Sequence, residues 1–128
     1  MIVDSNLIIL ASKTEHAGIR DWFMATPLSA SAISRVEVMG YREMTEDERS
    51  ILTRLFAGLQ VIPITDSVLD EAIRLKQTKK MSLGDSIIAG TAILHGGEFA
   101  TRNLKDFRNI TGLSASDPTH PANSSEAS

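Results

Sequence analysis

The sequence predicts an α/β fold built around a parallel sheet. Two observations point there. Short apolar runs of strand length recur along the chain, among them "MIVD", "QVIPI" and "EFAT". The longer segments between them carry helical periodicity and helix-end signals, so strands alternate with helices.

The elements follow in order. "MIVD" reads as a very short strand ending at Asp4, and "NLIILAS" opens a helix without a breaker. In "EHAGIRDWFMAT", Ala17, Ile19, Trp22 and Phe23 fall on helical spacing, and Pro27 ends that helix. "PLSAS" is a candidate strand, and "AISRVEVMGYREM" is read as helical to Met44. Thr45 and Glu48 form a capping-box pair at the head of "TEDERSILTRLFAGL", which stops at Gly58. "QVIPI" contains a proline and belongs near a strand end or sheet edge. "TDSVLDEAIRLKQTKK" is an amphipathic helix capped by Thr65 or Asp66. "SLGDSIIAGTAILHGG" is a helix apolar nearly all round, closed by Gly96 and Gly97, and "EFAT" is the strand after it. The domain is expected over residues 1–116. The rest, 117–128, is Pro, Ser and Ala with little apolar mass and is expected to be a disordered tail.

The chain has 128 residues, 42% apolar and 23% charged, which suits one globular domain. It has no cysteine, so a disulfide framework, a zinc-thiolate site and a thiol nucleophile are excluded. The start carries Asp4 and no basic region, and no apolar run is long enough to span a membrane; a cytoplasmic protein is expected. Net charge is −3 and the pI about 5.5, which argues against a passive nucleic-acid coat. An enzyme that meets phosphates through a metal ion stays open.

Acids stand at the edges of the most apolar elements. Asp4 ends the first strand, and Asn103 and Asp106 follow a later one, so both clusters belong at the carboxyl end of the sheet, where open parallel sheets bind ligands. At ~100° per residue, Glu37 shares a face with Ile33, Gly40 and Met44, opposite Arg35 and Arg42, which puts it on the side expected to be buried. Asp85 shares a face with Ile88, Ala89 and Ala92. Each acid also has a plain structural role open to it. Asp85 lies three residues after Ser82 and can cap its helix. Glu37 can pair with Arg20 or Arg102, Asp4 can form a strand-end turn, and Asp106 can cap a turn before Phe107. Taken together, converging carboxylates without equal positive charge repel one another. A hard divalent cation relieves that cost, and oxygen-only ligands suit Mg²⁺ or Mn²⁺. Such an ion lowers the pKa of a water and stabilises charge on a phosphodiester.

Four stretches in this order resemble a known family: "IVDSNLII", "SASAISRVEVMGY", "LGDSIIAGTAILHGGEFATRNLKDF" and "ITGLSASDP". The chain is similar, from Met1 to about Pro118, to the PIN-domain ribonucleases, and among them to the VapC-type toxins of bacterial and archaeal toxin–antitoxin pairs. The resemblance implies a three-layer α/β/α sandwich and metal-dependent hydrolysis of RNA that leaves a 5′-phosphate and a 3′-hydroxyl. It implies that Asp4, Glu37 and Asp85 form the acidic, Mg²⁺- or Mn²⁺-binding site, with Asp106 as the fourth acid or Asn103 in its place. Asn6 and Thr101 match supporting positions, and Ser5 stands where the family has Thr and keeps a hydroxyl. Many members have Asp where this chain has Asn103, which leaves the fourth ligand open. The resemblance further implies a VapB-type antitoxin, a homodimer and a larger toxin–antitoxin assembly.

Several features stand outside that site. Arg102 and Lys105 flank the last acidic loop, as RNA phosphate contacts or as solvated charges. The basic "KQTKK" reads chiefly as a solvated helix end, the histidines lack metal-ligand spacing, and Trp22, Phe23 and Met24 are core or a partner patch. Among rivals, a receiver-type signalling module also gathers acids around Mg²⁺. It needs paired acids after strand one, where this chain has Ser5 and Asn6, and a Lys after a later strand, where it has "TRN". A PIN nuclease of RNA processing is the nearer alternative; small size favours the toxin.

Overall fold

The computed structural model describes residues 1–120. Its strands are β1 (Ile2–Val3), β2 (Ser29–Ser31), β3 (Gln60–Ile62), β4 (Glu98–Ala100) and β5 (Ser114–Ser116). They form one sheet in the order β3-β2-β1-β4-β5, and every pairing is parallel. The α-helices are α1 (Ser5–Ala11), α2 (Ala17–Ala25), α3 (Ala32–Met39), α4 (Glu46–Gly58), α5 (Asp66–Thr78) and α6 (Leu83–Leu94). This is the α/β architecture expected. The strand order differs from the 2-1-3-4-5 order of receiver-type sheets.

Both faces of the sheet are covered, because side chains alternate along strands. Ile2 and Phe99 are paired in register and pack with Leu75, Ile88, Ala89 and Ala92 of α5 and α6. The next residues, Val3 and Ala100, point the other way, into Leu7 and Ile8 of α1, Phe23 of α2 and Leu52 of α4. Burial on both faces explains why the strands read as short apolar runs rather than alternating ones. β3 is an edge strand with Pro63 directly after it, as its proline suggested. Among the described residues no helix is long and apolar enough to cross a membrane.

Helix ends follow local chemistry. The capping box at α4 is formed, with Glu48 N donating to Thr45 Oγ1 at 3.1 Å and Thr45 N to Glu48 Oε1 at 3.0 Å. Thr65, not Asp66, caps α5. α6 closes in a Schellman turn, with Gly96 and Gly97 at φ 98° and 82° and Gly97 N bonded to Ala92 O at 2.7 Å.

Four readings change. α3 stops at Met39, five residues short of Met44, because Gly40 is a poor helix former and Thr45 starts the next helix almost at once. A short 3₁₀ turn, Thr14–His16, precedes α2 where one continuous helix was read. β5 lies in "SAS", whose small polar residues carry no strand signal; only Ala115 is buried, against Phe99. Asp117, where the tail was expected to begin, is buried and accepts a hydrogen bond from Thr119 N at 2.9 Å. The remainder of that expected tail, 121–128, lies outside the described residues.

Candidate active site

The chain leaves β1 toward β2 on one side, and returns after β3 to place β4 on the other side of β1. The crevice at the carboxyl ends of β1 and β4 is therefore the switch point of the sheet, the place where such folds bind ligands. Asp4 directly follows β1 and Thr101 directly follows β4. Thr101 Oγ1 donates to Asp4 Oδ2 at 2.8 Å, a buried bond joining residues 97 apart in sequence. Thr101 Oγ1 in turn accepts from the Asn103 backbone N–H at 2.9 Å.

Asp4 is 5% exposed. Burial pushes its carboxyl up from an ordinary 3.8 to about 6; the Thr101 hydrogen bond opposes this, and the charges of Asp85 and Glu37 add to it. Asp85 sits half-buried in the first turn of α6. Its carboxyl is also raised, first by burial, then by the charges of Glu37 and Asp106, against a lowering hydrogen bond with Ser82. So Asp85 has both roles considered for it, a first-turn acid and a neighbour of the other carboxylates.

Glu37 corrects one expectation. It is exposed rather than on the buried side of α3. The buried residues of α3 are Ser34 and Val38, one turn apart, and the exposed Glu37 lies beside that stripe at the rim. Its carboxylate is nevertheless turned inward. Ser5 Oγ donates to Glu37 Oε1 at 2.7 Å and shares a 2.9 Å hydrogen bond with the buried Ser34 Oγ. The other oxygen, Oε2, packs over Gly84 in the first turn of α6; a Cβ on Gly84 would stand 2.5 Å from it. The alternative partner Arg20 is engaged elsewhere, its Nε donating to Ala11 O at 2.9 Å.

The last acid lies in a 3₁₀ turn, Leu104–Phe107. Asn103 Nδ2 donates to Asp106 Oδ2 at 2.5 Å, so the two candidates for the fourth position are joined to each other. Phe107 anchors this loop edge-on to Phe99 of β4, with ring centroids 4.7 Å apart. Arg102, Lys105, Asn103 and Asp106 are all exposed. Asn6 is exposed and makes no side-chain hydrogen bond among the described residues. In the basic cluster, Lys76 and Lys79 tie down Met81 O and Arg108 O. His95 Nδ1 lies 2.8 Å from Thr91 O inside its own helix end. Phe23 is core, whereas Met24 is 79% exposed.

Sequence reasoning paired Ser82 with Asp85 only as a helix-cap spacing, and did not single out Ser34 or Gly84. Ser34 and Gly84 act through contacts between α1, α3 and α6, which leave no local signal.

Among the described residues, no ion pair involves Asp4, Glu37, Asp85 or Asp106. Nor are three or more His, Asp or Glu side chains already gathered to hold a metal ion. The donor chemistry still suits a hard cation: the Asp4 and Asp85 carboxyls are pushed up by burial and by neighbouring carboxylate charges, and among the described residues no ammonium or guanidinium forms an ion pair with them.

The model of the PIN domain family matches residues 1–113. No curated protein matches the chain. Solved structures do. A toxin–antitoxin complex from Klebsiella pneumoniae contains a chain 29% identical, with TM-score 0.71, covering 88% of this chain and 93% of that one. DNA-bound VapBC from Salmonella typhimurium gives TM-score 0.77 at 21% identity, over 91% of this chain and 96% of that one. FitAcB from Neisseria gonorrhoeae gives 0.71 at 21%, over 93% and 98%. The last two likenesses, under 25% identical, speak for the fold.

Proposed function

This chain belongs to the PIN domain family, and on that premise we propose that it is a metal-dependent endoribonuclease of the VapC toxin type, held in check by an antitoxin. The observation that carries the reading is the acidic crevice: Asp4 feels the charges of Asp85 and Glu37, Asp85 feels those of Glu37 and Asp106, and among the described residues no cationic side chain is ion-paired with them. In this reading Asp4, Glu37, Asp85 and Asp106 hold Mg²⁺ or Mn²⁺. When bound, such an ion lowers the pKa of a water and stabilises charge on the phosphodiester.

The chain's own residues supply positioning. Thr101 fixes one oxygen of Asp4 at the mouth of the crevice. Ser5 orients Glu37, and Asn103 orients Asp106. Arg102 and Lys105, exposed beside that loop, supply phosphate contacts. The reaction is hydrolysis of an RNA phosphodiester, leaving a 5′-phosphate and a 3′-hydroxyl. An antitoxin partner, homodimerisation and a cytoplasmic location belong to the same proposal. The toxin–antitoxin complex at 29% identity supports the first of these.

The test is cleavage of total cellular RNA by purified, antitoxin-free protein with Mg²⁺ or Mn²⁺ against EDTA, beside Asp85→Asn, with ends mapped by sequencing. Metal-dependent cuts with 5′-phosphates that vanish in the variant support the reading. Absence of cleavage when metal binding is confirmed contradicts it.

A further inference from the structure

We propose that Gly84 is a positioning residue of the acidic crevice, the seat that lets the Glu37 carboxylate lie against the first turn of α6. The inference rests on the reading of Glu37 as a site residue. Two contacts hold that carboxylate. On one side Ser5 Oγ donates to Oε1 at 2.7 Å. On the other, Oε2 rests where the Cβ of any other residue at 84 would be, 2.5 Å away, with Glu37 Cδ at 3.3 Å. The three atoms nearest that Cβ position, outside the backbone of its own helix turn, all belong to the Glu37 carboxylate. A side chain there meets the site carboxylate first.

Gly84 does not have the usual reasons to be glycine. Its backbone is not among the positive-φ residues, which are Asn109, Gly96, Gly97 and Gly112. It lies inside α6, where alanine is the better helix former. The glycine therefore works against helix propensity, and the space it leaves is filled by Glu37. The contrast with Gly90 in the same helix is direct. A Cβ at Gly90 would stand 3.2 Å from Val68 O and 3.3 Å from Ala72 N, so that glycine serves the packing of α5 on α6.

A methyl group at 84 has an easy way out, since the carboxylate is the far end of a flexible chain. It must move by roughly 1 Å to reach ordinary contact, a misplacement on the scale that costs about a hundredfold where positioning matters. The fold should not suffer. Gly84 thus acts on function through Glu37 while leaving stability equal or improved.

The experiment compares the parent, Gly84→Ala, Glu37→Gln, Glu37→Asp and the double variant Gly84→Ala/Glu37→Asp. Each is read by melting temperature without metal and by the Mn²⁺ dissociation constant. We expect Gly84→Ala to melt at or above the parent and to bind Mn²⁺ at least tenfold more weakly. Glu37→Asp should weaken binding in the parent but cost little, or restore affinity, in the Gly84→Ala background, because the shorter side chain clears the methyl group. The proposal is overturned if Gly84→Ala binds like the parent while Glu37→Gln is weak; the reading of Glu37 then survives. Additive losses in the double variant, or loss of the fold in Gly84→Ala, overturn it too. Unchanged affinity in Glu37→Gln removes Glu37 from the site and the proposal with it.

Discussion

Asp4→Asn isolates the energetic cost of the acidic crevice. The Asp4 carboxyl has a folded pKa of about 6 against an ordinary 3.8, raised chiefly by burial. Between those values the folded protein holds a proton that the unfolded chain releases. The contribution is therefore a loss of stability as pH rises, beginning near 3.8 and complete above about 6. A shift of about two units corresponds to roughly 3 kcal/mol at neutral pH. Asn is uncharged at every pH, and its carbonyl oxygen still accepts from Thr101. The variant should gain up to about 3 kcal/mol at pH 7.5, a ceiling because the new amide N–H₂ is itself desolvated. For a domain of this size that is on the order of 10 °C in melting temperature. The assay is urea unfolding in EDTA from pH 4 to 7.5, parent beside variant. The gain should shrink steadily toward pH 4. It should also shrink at pH 7.5 when Mn²⁺ is added, because the ion stabilises only the carboxylate form. A variant no more stable than the parent at pH 7.5 would refute the reasoning. So would a gain that does not change with pH, since the effect would then arise from packing rather than ionisation.

Other perturbations separate the parts of the design. Thr101→Val removes the donor to Asp4 and leaves both Oδ2 and the Asn103 N–H without their partner. It should destabilise by about 1–3 kcal/mol and lower nuclease activity, read by urea unfolding and RNA cleavage. Gly90→Ala places a methyl group against α5 backbone and should cost about 1–3 kcal/mol, opposite in sign to Gly84→Ala. Thr45→Ala breaks the capping box of α4 and should cost about 1 kcal/mol with cleavage unchanged, since α4 lends no residue to the crevice. Alanine at Glu37 or Asp85 should abolish cleavage while far-UV circular dichroism stays that of the parent.

Much of the fold was open to local reading. Thr45 with Glu48, Thr65 with Asp66, and Gly96 with Gly97 mark helix ends by chemistry that operates within one turn, and the structure forms each of those ends. The strands that lead into Asp4 and Thr101 showed because residues buried on both faces must be apolar. β5 did not show, because its three residues take their strand conformation from pairing with β4 rather than from their own bulk. The end of α3 was misread because Ile33, Glu37 and Met44 look periodic on paper, and periodicity cannot tell where a glycine stops a helix.

For the crevice, the chain by itself determined the chemistry. Oxygen donors without cysteine, acids at the mouths of buried elements, and four family-like stretches in order are properties of residue type and spacing. Tertiary structure decided the rest. It placed Asp4 beside Thr101 across 97 residues, turned an exposed Glu37 back onto Ser5, and joined Asn103 to Asp106. It also put Gly84 where a carboxylate from another helix needs the room. The physical reason is range. Capping and helix propensity act over a few residues and are written locally, whereas desolvation, charge repulsion and steric room depend on which elements the sheet brings together.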